Sequence, residues 1–159
     1  MIEIQFHTII QDDSKYTKME GRCQCGAIRF TTTVPQPLKV FVCHCLECRR
    51  QSASAYGISA IFPVFEPSTT SAQGWDDTEK VGVYKHITPK GRTKSCYFCK
   101  SCGTRLFHIY EGAKACAVKA GCLEGIDAGM VKSATHIWTS RALVPVPEGN
   151  EAFEEDPPS

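Results

Sequence analysis

A predominantly β fold is what this chain predicts, and three observations carry the prediction. Short stretches that alternate apolar and polar residues, or run apolar for a few positions, recur between Gly-, Pro- and Asp-containing turn signals. No segment sustains a helical apolar period long enough for a bundle, and no repeat of solenoid or propeller length is present. Ten cysteines lie in the chain, seven of them in tight groups far apart in sequence, so staples between distant strands are available.

Taken in order, residues 2–8 alternate Ile2, Ile4 and Phe6 with Glu3, Gln5 and His7, as a half-buried strand does, and 11–15 form a polar turn. Residues 21–30 make a second strand pattern that carries Cys23 and Cys25. A strand repeats every two residues, so a C-x-C pair points both sulfurs to one face, and Gly26 permits a tight backbone turn beside them. Pro35 and Pro37 punctuate the approach to the apolar run 38–42, which leads into Cys43-His44-Cys45-Leu46-Glu47-Cys48. Residues 49–54 suit a short helix, and 56–62 extend again.

Pro63, Pro67 and the Ser/Thr/Gly-rich stretch 68–74 predict a surface loop. Val81 to Tyr84 is a strand candidate, Thr88-Pro89-Lys90-Gly91 a turn, and 93–98 the returning arm of a hairpin that ends in Cys99-Lys100-Ser101-Cys102-Gly103. Further strands are predicted at 105–110, 115–123 and 135–140, the first two separated by a turn containing Glu111-Gly112. The tail from Pro145, rich in Pro and acidic residues, reads as a loose wrap or a disordered end.

With 159 residues the chain suits one compact core. A formal net charge of +1 argues against general attraction to nucleic acid or an anionic membrane. No apolar run approaches the roughly 20 residues of a membrane span, and Met1-Ile2-Glu3-Ile4 lacks the layout of a signal peptide. The expectation is a cytoplasmic protein with no nucleic-acid or membrane partner, and many thiols in that compartment point to metal rather than disulfides.

A structural zinc site takes four ligands in a tetrahedron, and short-spaced sulfur pairs supply two each. Cys23 with Cys25 and Cys99 with Cys102 make a complete set, each pair followed by a glycine, Gly26 or Gly103. Metal bound across segments so distant would couple to folding. Cys43, Cys45 and Cys48 supply three thiolates, one short of a closed site. A fourth protein ligand, Cys96, His44 or His108, closes it, or the position stays open for a soft ligand such as a substrate's sulfur. Cys96, Cys116 and Cys122 stand apart and suit ordinary buried thiols.

Three stretches, 21–30 (GRCQCGAIRF), 43–50 (CHCLECRR) and 98–104 (FCKSCGT), with a weaker fourth at 119–124 followed by His136-Ile137-Trp138, resemble the glutathione-dependent formaldehyde-activating enzyme family, also called the centromere-protein-V domain family. The resemblance implies a β-tent fold of short antiparallel sheets clamped by zinc. It implies two zinc ions per chain, with Cys23, Cys25, Cys99 and Cys102 on a structural one and Cys43, Cys45 and Cys48 on a substrate-facing one. On this reading 21–148 is the zinc domain, 1–20 a strand and turn packed on it, and 149–159 an acidic tail. The chain departs from the family pattern at Ala53, where a Gly commonly follows the Arg-Arg segment, at Cys122 and Glu124, and at Leu143.

The function so implied is a carbon–sulfur lyase acting on a thiol adduct, glutathione being the expected thiol partner and formaldehyde a candidate electrophile. Arg49 and Arg50 match carboxylate geometry and are candidates for substrate binding, or they form a solvated helix face. His44, between two ligand cysteines, is a candidate acid/base group, and Tyr56 a candidate pocket residue, with core packing the alternative for each. The competing functions are a non-catalytic zinc module that contacts another macromolecule, and a family enzyme diverted to another small-molecule detoxification or biosynthetic step.

Overall fold

The computed structural model describes residues 18–65 and 79–158. The strand and turn expected at 2–15 and most of the loop expected at 63–74 lie outside those residues. The described chain is mainly β, as the sequence predicts, and mostly antiparallel.

Two three-residue strands, β1 (Glu20–Arg22) and β2 (Arg29–Thr31), pair antiparallel as a separate hairpin. Residues 21–30 are therefore not one strand. The C-x-C-Gly segment is the hairpin's turn, closed by the Gly26 N–H donating to the Cys23 carbonyl at 3.0 Å, with Gly26 at φ +74. The sulfurs converge through that turn, not through strand alternation. Gly21 faces Phe30 across the hairpin, and its missing side chain is what lets the ring lie over the backbone there.

The second sheet has eight strands: β3 (Lys39–Cys43), β4 (Gly57–Pro63), β5 (Val81–Ile87), β6 (Thr93–Cys99), β7 (Arg105–Tyr110), β8 (Ala115–Lys119), β9 (Thr135–Ile137) and β10 (Ala152–Phe153). Their spatial order is β10-β9-β3-β4-β8-β7-β6-β5. Pairs from β3 through β5 in that order are antiparallel, while β9 joins β3, and β10 joins β9, in parallel. The acidic tail is thus neither loose nor disordered in its described part. It supplies the edge strand, and Glu151 ties it down by accepting from Lys39 Nζ at 2.8 Å and Thr135 Oγ1 at 2.6 Å.

Alternation decides which face is core. Val40 and Val42, Ala60 and Phe62, Cys116 and Val118 share one face with Phe107 and pack under the hairpin's Phe30. Phe30, Phe62, Leu106 and Val118 are among the most deeply buried side chains, each contributing about 1.5–3 kcal/mol of apolar burial. The chain after β8 closes the hairpin onto the sheet through the Gly21–Leu123 bridge and the Glu124 N–H to Glu20 carbonyl bond. Two short α-helices, α1 (Leu46–Ser52) and α2 (Ala128–Lys132), lie outside the sheets, with 3-10 turns at Ala120–Cys122 and Thr139–Arg141.

Candidate metal centres

Two clusters of free thiols stand out, each with its sulfur atoms within 4.8 Å of one another. The first joins Cys23 and Cys25 of the hairpin turn to Cys99 at the end of β6 and Cys102 just beyond it. Its two halves are built alike. Gly103, also at φ +74, donates to the Cys99 carbonyl at 2.8 Å, repeating the turn at Gly26. Thr104 links them, its hydroxyl oxygen accepting from the Gln24 N–H at 3.1 Å and sharing a hydrogen bond of 3.1 Å with Cys102 Sγ. That hydroxyl lowers Cys102 to about 5.

A metal–thiolate bond of about 2.3 Å in a tetrahedron places sulfurs about 3.8 Å apart. Cys23 and Cys25 are separated by 3.5 Å and Cys25 and Cys99 by 3.8 Å, so the four residues fit a tetrahedral ion. Cys23 Sγ also accepts from the Ile28 N–H at 3.3 Å, which fixes its position in the hairpin turn.

The second cluster, Cys43, Cys45 and Cys48, forms where β3 hands over to α1. Cys45 caps the helix, and its sulfur accepts from the Cys48 N–H at 3.4 Å. Gln51 Nε2 donates to Cys48 Sγ at 3.5 Å from the next turn. Hydrogen bonds from Cys43 and Cys48 draw Cys45 down to about 2, while the same contacts and burial push Cys43 up. Three thiol sulfurs gathered this closely are a donor set suited to a soft cation. Among the described residues no fourth Cys, His, Asp or Glu joins the cluster. Cys96, His44 and His108, the candidates for closing it, are not part of it.

Gly57 allows this geometry. It pairs with Cys43, and a side chain added to it would meet Cys48 Cβ at 3.2 Å, so the bare backbone is what lets α1 rest on β4. The helix ends at Ala53, which takes the left-handed conformation, φ 48 and ψ 39. This is the position where the family pattern favours Gly, and the backbone gives the reason.

His44 is completely buried and points away from the trio's face. Its Nε2 lies 3.0 Å from His136 Nδ1, and Tyr56 stands edge-on to its ring at 5.8 Å between centroids. Burial and the neighbouring His136 lower its pKa, holding it neutral. Tyr56 is half-buried against the core. On α1, Arg50 is exposed and donates to Glu47 at 2.6 Å, while Arg49 is half-buried. Cys122 and Cys116 are buried thiols, both pushed up to about 11 by burial, and neither belongs to a cluster.

Sequence reasoning named Lys119 and His136 only within a motif and gave them no role. Lys119 is the single charge in the apolar stretch 115–123, a signal that was available. It lies on the trio's face, its Nζ donating to Ser59 Oγ at 3.1 Å, and the thiol charges of Cys48 and Cys43 act on it. His136 carried no such signal, because its partner is 92 residues away.

Comparison with known proteins agrees with this architecture. A crystal structure of a Rhodobacter sphaeroides protein superposes with a TM-score of 0.54 at 21% identity, covering 74% of this chain and 99% of that one, a likeness of fold. An uncharacterized lyase of Schizosaccharomyces pombe is 31% identical over 109 residues, 68% of this chain and 70% of the yeast protein. Residues 18–141 match the model of the glutathione-dependent formaldehyde-activating enzyme. That span contains both thiol clusters and every strand but the last, and the chain belongs to the glutathione-dependent formaldehyde-activating enzyme family.

Proposed function

We propose that the chain is a zinc-dependent carbon–sulfur lyase-type enzyme acting on the glutathione adduct of a small electrophile such as formaldehyde. The observation that carries this reading is the unequal ligand count. Four thiols can close the first centre, whereas Cys43, Cys45 and Cys48 gather with no fourth described ligand, leaving a position for a substrate's sulfur. Family membership and the lyase name of the yeast relative support the same class of chemistry. A zinc ion held by the trio would act as a Lewis acid and keep a thiol sulfur deprotonated at neutral pH.

In the addition direction the thiolate sulfur bonds to the carbonyl carbon, the carbonyl electron pair moves to oxygen, and that oxygen takes a proton. The lyase direction reverses each step. Cys43 at the end of β3, Cys45 at the cap of α1 and Cys48 in its first turn would hold the ion that takes the sulfur. Arg49 is offered to a substrate carboxylate, since Arg50 is engaged by Glu47. His44, buried and neutral, is a positioning residue that sets the β3 end through His136, with Tyr56 packed on it. Cys23, Cys25, Cys99 and Cys102 would hold a zinc ion that ties the hairpin to the sheet and couples metal binding to folding. A cytoplasmic setting, where glutathione and free thiols are maintained, suits both centres.

The test is glutathione titration of cobalt-substituted protein, together with Cys45→Ser. Glutathione should change the thiolate-to-cobalt absorption of the second site, and Cys45→Ser should lose that site and turnover while keeping the first metal. Full turnover in Cys45→Ser lacking the second metal would overturn the proposal.

A further inference from the structure

The sheet face that bears the trio also collects cations. Ser59 on β4 pairs with Phe41 on one side and Lys119 on the other, which places Lys119 on the face of Cys43, two residues beyond Phe41. His108 on β7 stands opposite Ala117, two residues before Lys119, and opposite Cys96, two residues after Lys94. Lys119, His108 and Lys94 therefore share this face across three neighbouring strands. A register shift between Tyr97 and Phe98 sets Arg105 opposite Phe98, two residues after Cys96, so Arg105 joins this face and its charge acts on both Lys119 and His108.

These cations are half-buried and crowd one another. Lys119 is lowered by burial and by Lys94 and Arg105, with Cys48 and Cys43 the groups that offset this. The carboxylates of the described ion pairs are engaged elsewhere, Glu47 by Arg50, Glu124 by Arg22, Glu151 by Lys39 and Asp156 by Lys90. Among the described residues none is ion-paired to Lys119, Arg105 or Lys94. His108 is 8% exposed, and its Nδ1 is buried with no hydrogen-bond partner among the described residues. Three like charges beside an unpartnered imidazole nitrogen destabilise an empty face and favour an anion on it.

We propose that Lys119, Arg105 and Lys94, with His108 Nδ1, form the carboxylate-binding subsite for an anionic thiol whose sulfur reaches the Cys43–Cys45–Cys48 centre. This rests on the open-centre reading above and adds to it the residues that select the substrate. Charge recognition thus extends from Arg49 on α1 onto the sheet, across β6, β7 and β8, and leaves out Arg50, which Glu47 engages. Neutral thiols fill the metal position without using it.

Calorimetry with S-methylglutathione tests this, because that probe keeps both carboxylates and has no thiol to offer a metal. It should bind the zinc-loaded protein, weaken about tenfold in Lys119→Met and Arg105→Gln, and weaken with added salt. Its dimethyl ester should bind the unmodified protein at least tenfold more weakly, a comparison that needs no variant to fold. Equal binding of acid and ester, no binding of the acid, or unchanged affinity in both variants would each overturn the subsite. Should glutathione leave the cobalt absorption unchanged while S-methylglutathione still depends on Lys119, the open-centre reading fails and the subsite stands. A cobalt response with no dependence on Lys119 or Arg105 gives the reverse.

Discussion

His44 Nε2 and His136 Nδ1 meet at 3.0 Å inside the protein, joining the end of β3 to its parallel neighbour β9 just behind the thiol trio. Their rings stack at 5.3 Å between centroids, and the His44 N–H donates to the Ile137 carbonyl at 3.0 Å. Removing one ring leaves the other a buried polar group without its partner, since His44 Nδ1 already has none among the described residues. His136→Ala should therefore cost about 1–3 kcal/mol, read as a lower urea midpoint, with the tetrathiolate metal retained. An unchanged midpoint would show that the pair is not a stabilising contact.

Gly57→Ala should strike the second centre selectively. The new methyl carbon lies 3.2 Å from Cys48 Cβ, with the Cys48 carbonyl at 3.6 Å, so α1 must shift off β4. Overpacking of this kind costs about 1–3 kcal/mol, and here it moves one of the three clustered thiols. Metal analysis should show the trio's ion weakened or lost while the first centre remains filled.

Ala53→Gly should stabilise the protein by about 1 kcal/mol, since a left-handed backbone costs an L side chain roughly that much. Its backbone N–H caps the Arg49 and Arg50 carbonyls, so the gain appears at the helix terminus and substrate preference is unchanged. Denaturant unfolding at constant metal content measures the first, and relative turnover of two thiols the second.

Acid should destabilise the native state partly through His108. Burial, then the charges of Lys119, Lys94, Arg105 and His86, hold its pKa well below the usual histidine value. The folded protein keeps the ring neutral, whereas the unfolded chain takes up a proton as pH falls below about 6.5. The stability contributed by the neutral ring is complete above that pH and declines below it by up to about 1.4 kcal/mol per unit. Urea midpoints at pH 8 and pH 5.5 should fall less for His108→Gln than for the parent protein. Equal falls would remove His108 from the account.

Some of this molecule was legible before its structure. Strands at 105–110 and 93–98 and the turn at Thr88–Gly91 follow from local patterns that the fold leaves in place, while the short helix expected at 49–54 begins three residues earlier, at Leu46, because Cys45 caps it. Residues 21–30 misled because two three-residue arms on either side of a turn mimic one alternating strand. The C-x-C-Gly segment is governed by Gly26 and its bond to Cys23, a local conformation stronger than the alternation around it. The tail misled for the opposite reason. Its composition suits disorder, but Glu151 finds Lys39 and Thr135 on strands more than a dozen residues away or further.

By itself the sequence determined the β class and the division of seven cysteines into a set of four and a set of three, because ligand spacing and the glycines beside it are local. The tertiary structure decided what surrounds the set of three. Lys119, Arg105, Lys94 and His108 come from three strands, and only strand register places them on one face with Cys43. His136 likewise reaches His44 only through the parallel pairing of β3 with β9. Such contacts are fixed by which strands become neighbours, and no short stretch of the chain encodes that.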